Sequence, residues 1–232
     1  MGVMAVSEFK TRLETIQSRI DEAAKRSGRS LKNVTLVAVT KGVKADSLRQ
    51  AREAGAILFG ESRVQEAEEK ILALQGTDIQ WHLIGHLQSN KVKAAVSFFQ
   101  LIQSVDTVRL AEKISEESLA VNKATSVLLE VNVSGETEKY GFKPEEVYSV
   151  IDAIGQFSGI KVLGLMGIAP NVPEEAPKRE AFKKLKGIFS ACKMLKHPNI
   201  EMKLLSMGMS DDYVIAVEEG SNMVRIGRAL FK

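Results

Sequence analysis

Lys41 closes the apolar run Val34-Thr-Leu-Val-Ala-Val-Thr40. A run of this length, rich in β-branched residues, reads as a strand covered on both faces. A lysine where such a strand ends stands at the rim of the core. Partial desolvation there disfavours the ammonium form and makes the amine a Schiff-base nucleophile. Taken alone, the segment reads more simply as a lysine reaching from a strand end into water. Two segments near the other end of the chain reverse that reading, Ser206-Met-Gly-Met-Ser210 and Val224-Arg-Ile-Gly-Arg228. Small residues such as Ser206, Gly208, Ser210 and Gly227 let backbone amides approach an anion. A helix expected to begin near Ser210 adds free N–H groups and a positive dipole end. Asp211 and Asp212 complement that dipole but oppose a phosphate unless they turn away from it.

A lysine amine facing a phosphate cradle suits a phosphorylated aldehyde, and pyridoxal 5′-phosphate (PLP) is the natural candidate. Arg225 then stands as the partner of the ring nitrogen. An arginine keeps its proton and only donates, so the pyridine nitrogen must be unprotonated to accept. A neutral pyridine is a weaker electron sink than a pyridinium, which mutes carbanion chemistry at a bound amino acid.

The elements that must bring these residues together alternate along the whole chain. An amphipathic helix (Phe9, Leu13, Ile16, Ile20) comes first. Short apolar runs follow at Val34–Val39, Ile57–Phe59, Gln80–Ile84, Leu101–Val105, Ser126–Val133, Lys161–Met166, Met202–Leu205 and Met223–Ile226. Segments of helical spacing lie between them, with start signals expected at Asp106, Lys143-Pro144 and Ser210. Eight such repeats predict a closed (β/α)8 barrel over residues 1–232, with an open doubly wound sheet as the alternative. No linker divides the series. Only six residues follow Ile226, so the extra N-terminal helix is expected to fill the gap in the outer ring. In a barrel the strand C-termini form the active face, which gathers Lys41, Gly60-Glu61, His82, Asn132, Met166 and both glycine-containing segments at one mouth.

Composition narrows the classes. The 232 residues carry a net charge of +3, too little to argue for nucleic acid. The basic stretch Lys183-Lys184-Leu-Lys186 with Lys193 and Lys196 reads as a solvated helix face. No apolar stretch is long enough for a bilayer, no signal-peptide plan opens the chain, and Cys192 is the sole cysteine. A cytoplasmic protein with a buried thiol is expected. His82 and His86 lack a partnering cysteine or carboxylate cluster, so no metal site is expected. Trp81 reads as packing.

The stretches Leu36-Val-Ala-Val-Thr-Lys41, Phe59-Gly-Glu-Ser62, Val64-Gln-Glu66, Trp81-His-Leu-Ile-Gly85, Leu87-Gln-Ser-Asn-Lys91, Gly164-Leu-Met166, Leu205–Ser210 and Val224–Gly227 occur in this order. As a set they resemble the pyridoxal phosphate homeostasis proteins, which share the barrel of the alanine racemase N-terminal domain. The resemblance implies that Lys41 is the aldimine lysine and that Ser206, Gly208, Ser210, Gly227 and Arg228 fall on phosphate-binding stretches. It places Arg225 at the ring-nitrogen position. Ser62 departs from a usual asparagine, and Arg228 from a usual small hydroxyl residue. The implied role is a monomeric PLP carrier serving PLP homeostasis, with PLP-dependent apo-enzymes as recipients, and not an enzyme. Two alternatives stay open. An amino-acid racemase would need a second base from Tyr140, Tyr148, Tyr213 or a histidine, and a Schiff-base lyase of the aldolase kind would use Lys41 on a phosphorylated sugar.

Overall fold

The computed structural model describes residues 5–30, 33–136 and 138–232. Helix α1 (Val6–Arg26) precedes β1 (Thr35–Val39), α2 (Ala45–Glu53), β2 (Leu58–Glu61), α3 (Val64–Ala73), β3 (Gln80–Leu83), α4 (Val92–Phe98) and β4 (Leu101–Val105). Then come α5 (Val108–Leu119), β5 (Thr125–Val131), α6 (Val147–Ile154), β6 (Ile160–Gly167), α7 (Glu175–Cys192), β7 (Ile200–Ser206), α8 (Tyr213–Glu218), β8 (Met223–Ile226) and α9 (Arg228–Phe231). The strands pair in sequence order, all parallel, and β8 closes on β1 with Val37 opposite Arg225 and Ala38 opposite Ile226. The barrel, rather than the open sheet, is therefore the fold.

Strand alternation divides the core in two. Ala38, Ile102, Leu129 and Val224 belong to the large cluster between strands and helices. Their strand neighbours Val37, Leu101, Leu128 and Met223 join Met166 in a separate cluster inside the barrel. Side chains two residues further along β4, β5, β7 and β8 point inward by the same parity, and here the sequence is polar: Gln103, Glu130, Ser206 and Arg225. The interior is thus apolar at its base and polar toward the mouth.

Helix α1 buries Phe9, Leu13, Ile16 and Ile20, packing against α8, α9 and α2, with the Phe9 ring 5.2 Å from that of Phe231. It fills the ring where the short α8 and α9 leave room. Trp81 packs edge-on to Phe59, and Cys192 lies in the core, where burial pushes its thiol up to about 11. No helix is long and apolar enough to cross a membrane among the described residues.

Two expected start signals shift. The cap of α5 is Thr107, whose hydroxyl accepts from Leu110 N–H, while Asp106 bonds His86 instead. Helix α8 begins at Tyr213, not near Ser210. Pro144 does open the turn before α6, as its lack of an N–H favours.

Candidate site at the barrel mouth

Lys41 lies in the turn just beyond β1 and is exposed, so the desolvation expected for it is not found. The backbone below it is firmly held. Thr40 N–H donates to Gly60 O (3.0 Å), Val43 N–H donates to Thr40 O (2.9 Å), and Lys70 Nζ donates to the same carbonyl (2.8 Å). Glu61 Oε1 accepts from the Thr40 hydroxyl and from Lys70 Nζ, each at 2.5 Å. The Glu61 side chain is wholly buried and that of Lys70 is 12% exposed. The desolvated lysine beside this strand end is Lys70 on α3, and it works as a clamp on the residue preceding Lys41.

Across the mouth, a one-way chain of hydrogen bonds spans the interior. Arg225 Nη1 donates to Ser206 Oγ (2.5 Å), Ser206 Oγ donates to Gln103 Oε1 (2.6 Å), and Gln103 Nε2 donates to His82 Nδ1 (2.9 Å). Arg225 Nη2 donates to Gly167 O at 3.0 Å. The polarity is set at one end by a guanidinium that only donates, so His82 must accept as a neutral imidazole. Burial holds His82 down to about 4. Burial also lowers Arg225 to about 10, with Glu130 and Asp212 favouring its charge, so it stays cationic at neutral pH. The Ser206 hydroxyl is fully buried and is bonded to Arg225 and Gln103.

Glu130 sits in the same layer, and burial pushes its carboxyl up to about 7, with Arg225 opposing and Asp106 adding to the shift. The two groups act on stability with opposite signs. His82 binds its proton more weakly when folded, so its contribution is lost as pH falls from about 6.5 to 4. Glu130 binds its proton more strongly when folded, so its contribution is gained as pH falls from about 7 to 4.5. Each window is worth about 3 kcal/mol. The wild-type protein is expected to show little net change there in urea unfolding. Glu130→Gln should lose stability on acidification and His82→Gln should gain it. Parallel pH profiles for the two variants would contradict this balance.

The glycine-containing segments meet beside β1. Gly227 lies against Val39, where an added Cβ would stand 3.2 Å from Val39 Cβ. Gly208 has φ +95°, and a Cβ there would come within 2.5 Å of Ala216 Cβ, so only glycine lets this loop press on α8. The Ser210 hydroxyl accepts from Gly227 N–H (3.3 Å) and Ala229 N–H (3.4 Å). Two backbone donors thus converge, at long range, on a single oxygen position. Asp212 Oδ1 is turned back onto Met209 N–H (2.6 Å), and Asp211 pairs with the Arg228 side chain at the surface. Both acids are thereby directed away from the two amides, and Arg228 offers that region its backbone alone.

His82 and His86 diverge. His86 Nδ1 bonds Asp106 Oδ2 at 2.8 Å and its ring stacks on Tyr140, with centroids 3.8 Å apart. No group of three or more His, Cys, Asp or Glu suited to a metal occurs among the described residues. Tyr213 is buried in α8 and Tyr148 is exposed on α6, which leaves Tyr140 as the tyrosine stacked on His86 at the mouth.

The sequence profile of the alanine racemase N-terminal domain matches residues 11–232. The pyridoxal phosphate homeostasis protein of Aquifex aeolicus is 38% identical over 220 residues, covering 95% of this chain and 96% of that protein. The chain belongs to the pyridoxal phosphate homeostasis protein family. PipY of Synechococcus elongatus, solved with PLP bound, superposes with a TM-score of 0.84 at 31% identity, covering 97% of this chain and 100% of that one. A Clostridium difficile alanine racemase shares the barrel only, with a TM-score of 0.72 at 15% identity over 98% of this chain and 56% of the enzyme.

Within this family frame, Lys41, Arg225, Gly227 and Ser210 fall at the same end of the barrel. Ser62 is half-buried, and its backbone lies so close to Gly85 that a Cβ on Gly85 would meet Ser62 O at 2.3 Å. Sequence reasoning missed Lys70, Gln103 and Glu130. Charged or amide residues inside otherwise apolar strands (Gln103 in Leu-Ile-Gln-Ser-Val, Glu130 in Val-Leu-Leu-Glu-Val) were the available signal.

Proposed function

We propose that this protein binds PLP covalently through Lys41 and serves as an intracellular PLP carrier rather than an enzyme. The observation that carries the reading is Arg225: a buried guanidinium fixed by Ser206 and Gly167, able to donate to a ring nitrogen and unable to accept from one. The residues present fit the cofactor. Lys41 has a solvent-accessible amine for the aldehyde, Arg225 has donors beyond the two already assigned, and the amides of Gly227 and Ala229 converge beside the Ser210 hydroxyl, where a phosphate oxygen would accept from them. Ser210 and Arg228 would contribute to that phosphate site through hydroxyl and backbone N–H. When bound, PLP supplies a reactive aldehyde and an electron-withdrawing ring.

The chain's own groups temper that chemistry. Arg225 keeps its proton, which favours an unprotonated ring nitrogen. Gln103 and Ser206 hold Arg225 in one orientation, and His82 is kept neutral at the far end of the chain. Support for the carrier role comes from the names of relatives matched over nearly their whole length and from the PLP-bound PipY. A buried sole thiol and no membrane-spanning helix among the described residues suit a cytoplasmic protein. We read it as a monomer that delivers PLP to apo-enzymes.

The test is a visible spectrum of the purified protein with added PLP, before and after borohydride, followed by peptide mapping. A band removed by reduction, with the pyridoxyl mass on the peptide bearing Lys41, is the expected result. Absence of any band would favour the colourless sugar-phosphate lyase. Fast exchange of an amino-acid α-proton would favour the racemase, for which Tyr140 and His86 are the available acid/base groups.

A further inference from the structure

The interior of the barrel holds a carboxyl group near its mouth, that of Glu130. Glu130 is 8% exposed, yet its side chain has no hydrogen-bond partner among the described residues. Its carboxyl oxygens are not among the sealed, unbonded side-chain atoms, so they are open to solvent, while Arg225, Ser206, Gln103 and His82 of the same layer are bonded to one another. Glu130 lines a cleft of about 260 Å³ with Asn132, Lys139, Tyr140 and Ile168. The cleft has an acid in its wall, an aromatic ring from the loop after β5, and the apolar Ile168 beyond β6.

The described residues of that loop are tied to the end of β5. Phe142 N–H donates to Glu130 O (2.8 Å), Asn132 N–H donates to Phe142 O (2.9 Å), and Asn132 Nδ2 donates to the Glu136 and Lys139 carbonyls. Gly141, at φ +117°, lets the returning chain lie against β5, where a Cβ would come within 2.7 Å of Asn132 N. Tyr140 is then fixed by stacking on His86.

Arg225 favours the charge of Glu130 at a distance but makes no hydrogen bond to it. Arg225, from β8, directs Nη1 and Nη2 to Ser206 and Gly167. Asp106, at the end of β4, adds negative charge and is bonded to His86. In the loop, Glu138 lines the cleft, and the Lys139 ammonium is bonded to Glu136 at 2.5 Å.

We propose that this cleft is a subsite for a primary ammonium group, carried by a small organic amine or by an amino acid. An ammonium supplies donors and a charge to Glu130 in a partly dry setting, where a charge-assisted bond is about twice as strong as a neutral one. The Tyr140 ring offers a cation–π wall, and Ile168 accommodates an alkyl stem. The assignment stands without the PLP reading, because it uses none of the residues proposed to hold PLP.

The test is calorimetric titration of the full, PLP-free chain with propylammonium chloride, L-alanine and 1-propanol. Propylammonium should bind, 1-propanol should not, and Glu130→Gln should weaken propylammonium at least tenfold. L-alanine binding more tightly than propylammonium would identify amino acids as the ligands, and the reverse order would identify simple amines. Tyr140→Ala, at an exposed loop position, should weaken propylammonium several-fold and keeps the test available if Glu130→Gln fails to fold. Equal affinity in either variant and the wild type, equal binding of 1-propanol, or no binding of propylammonium by the wild type overturns the proposal.

Discussion

Lys70→Met is expected to destabilise the fold by about 3–5 kcal/mol, the loss seen when one partner of a buried ion pair is removed. The Glu61 carboxylate is wholly buried, and only Oε1 is bonded, by Thr40 and Lys70; Oε2 has no partner. Without the ammonium, the fold would retain a charged group satisfied by one hydroxyl. It would either keep that charge at high cost or take up a proton. Thr40 O would lose a donor at the same time. Removing both charges separates the pair's net worth from the penalty of an orphaned carboxylate. Lys70→Met with Glu61→Leu should recover most of the loss, because apolar residues of similar volume replace buried pairs at little cost. Urea unfolding of the wild type, both single variants and the double variant measures this. A Lys70→Met loss below about 1 kcal/mol would mean that the pair is solvated and screened like a surface bridge.

The barrel was legible because its strands are buried on both faces and its helices on one. Those two patterns recur eight times without a linker. Boundaries were less so: Val133 was assigned to the fifth strand, but Phe142 returns onto Val131 and ends the ladder there. The helix start at Asp106 missed by one residue because Asp outranks Thr as a cap by residue type, and only the fold shows Asp106 turned to His86. That Lys41, Arg225, Gly208 and Gly227 would lie at one end of the barrel could be read from their positions at and just beyond strand ends. The bond from Arg225 to Ser206 was not legible. Parity with Leu204 puts Ser206 inside the barrel, one residue before the backbone leaves the strand. The Glu61–Lys70 clamp was hidden because it joins a strand to the next helix, and a pairing between elements has no periodicity to reveal it.

Lys41→Ala is expected to reduce PLP retention to background while leaving stability within about 0.5 kcal/mol of the wild type, as for other exposed side chains with no partner. The Lys41 side chain makes no hydrogen bond or ion pair among the described residues, and the turn that carries it is held by the backbone of Thr40. The two lysines of this corner therefore separate cleanly. Loss of Lys70 should lower the unfolding midpoint and loosen retention only through the displaced turn. Loss of Lys41 should abolish retention with the midpoint unmoved. Dialysis with excess PLP, borohydride fixation and intact-mass measurement reads the first effect, and urea unfolding reads the second. A pyridoxyl mass surviving undiminished in Lys41→Ala would move the covalent site to another amine, with Lys44 in the same segment the first to map. Retention lost together with several kcal/mol of stability would show instead that Lys41 is structural, and the reading of an exposed amine awaiting an aldehyde would fall.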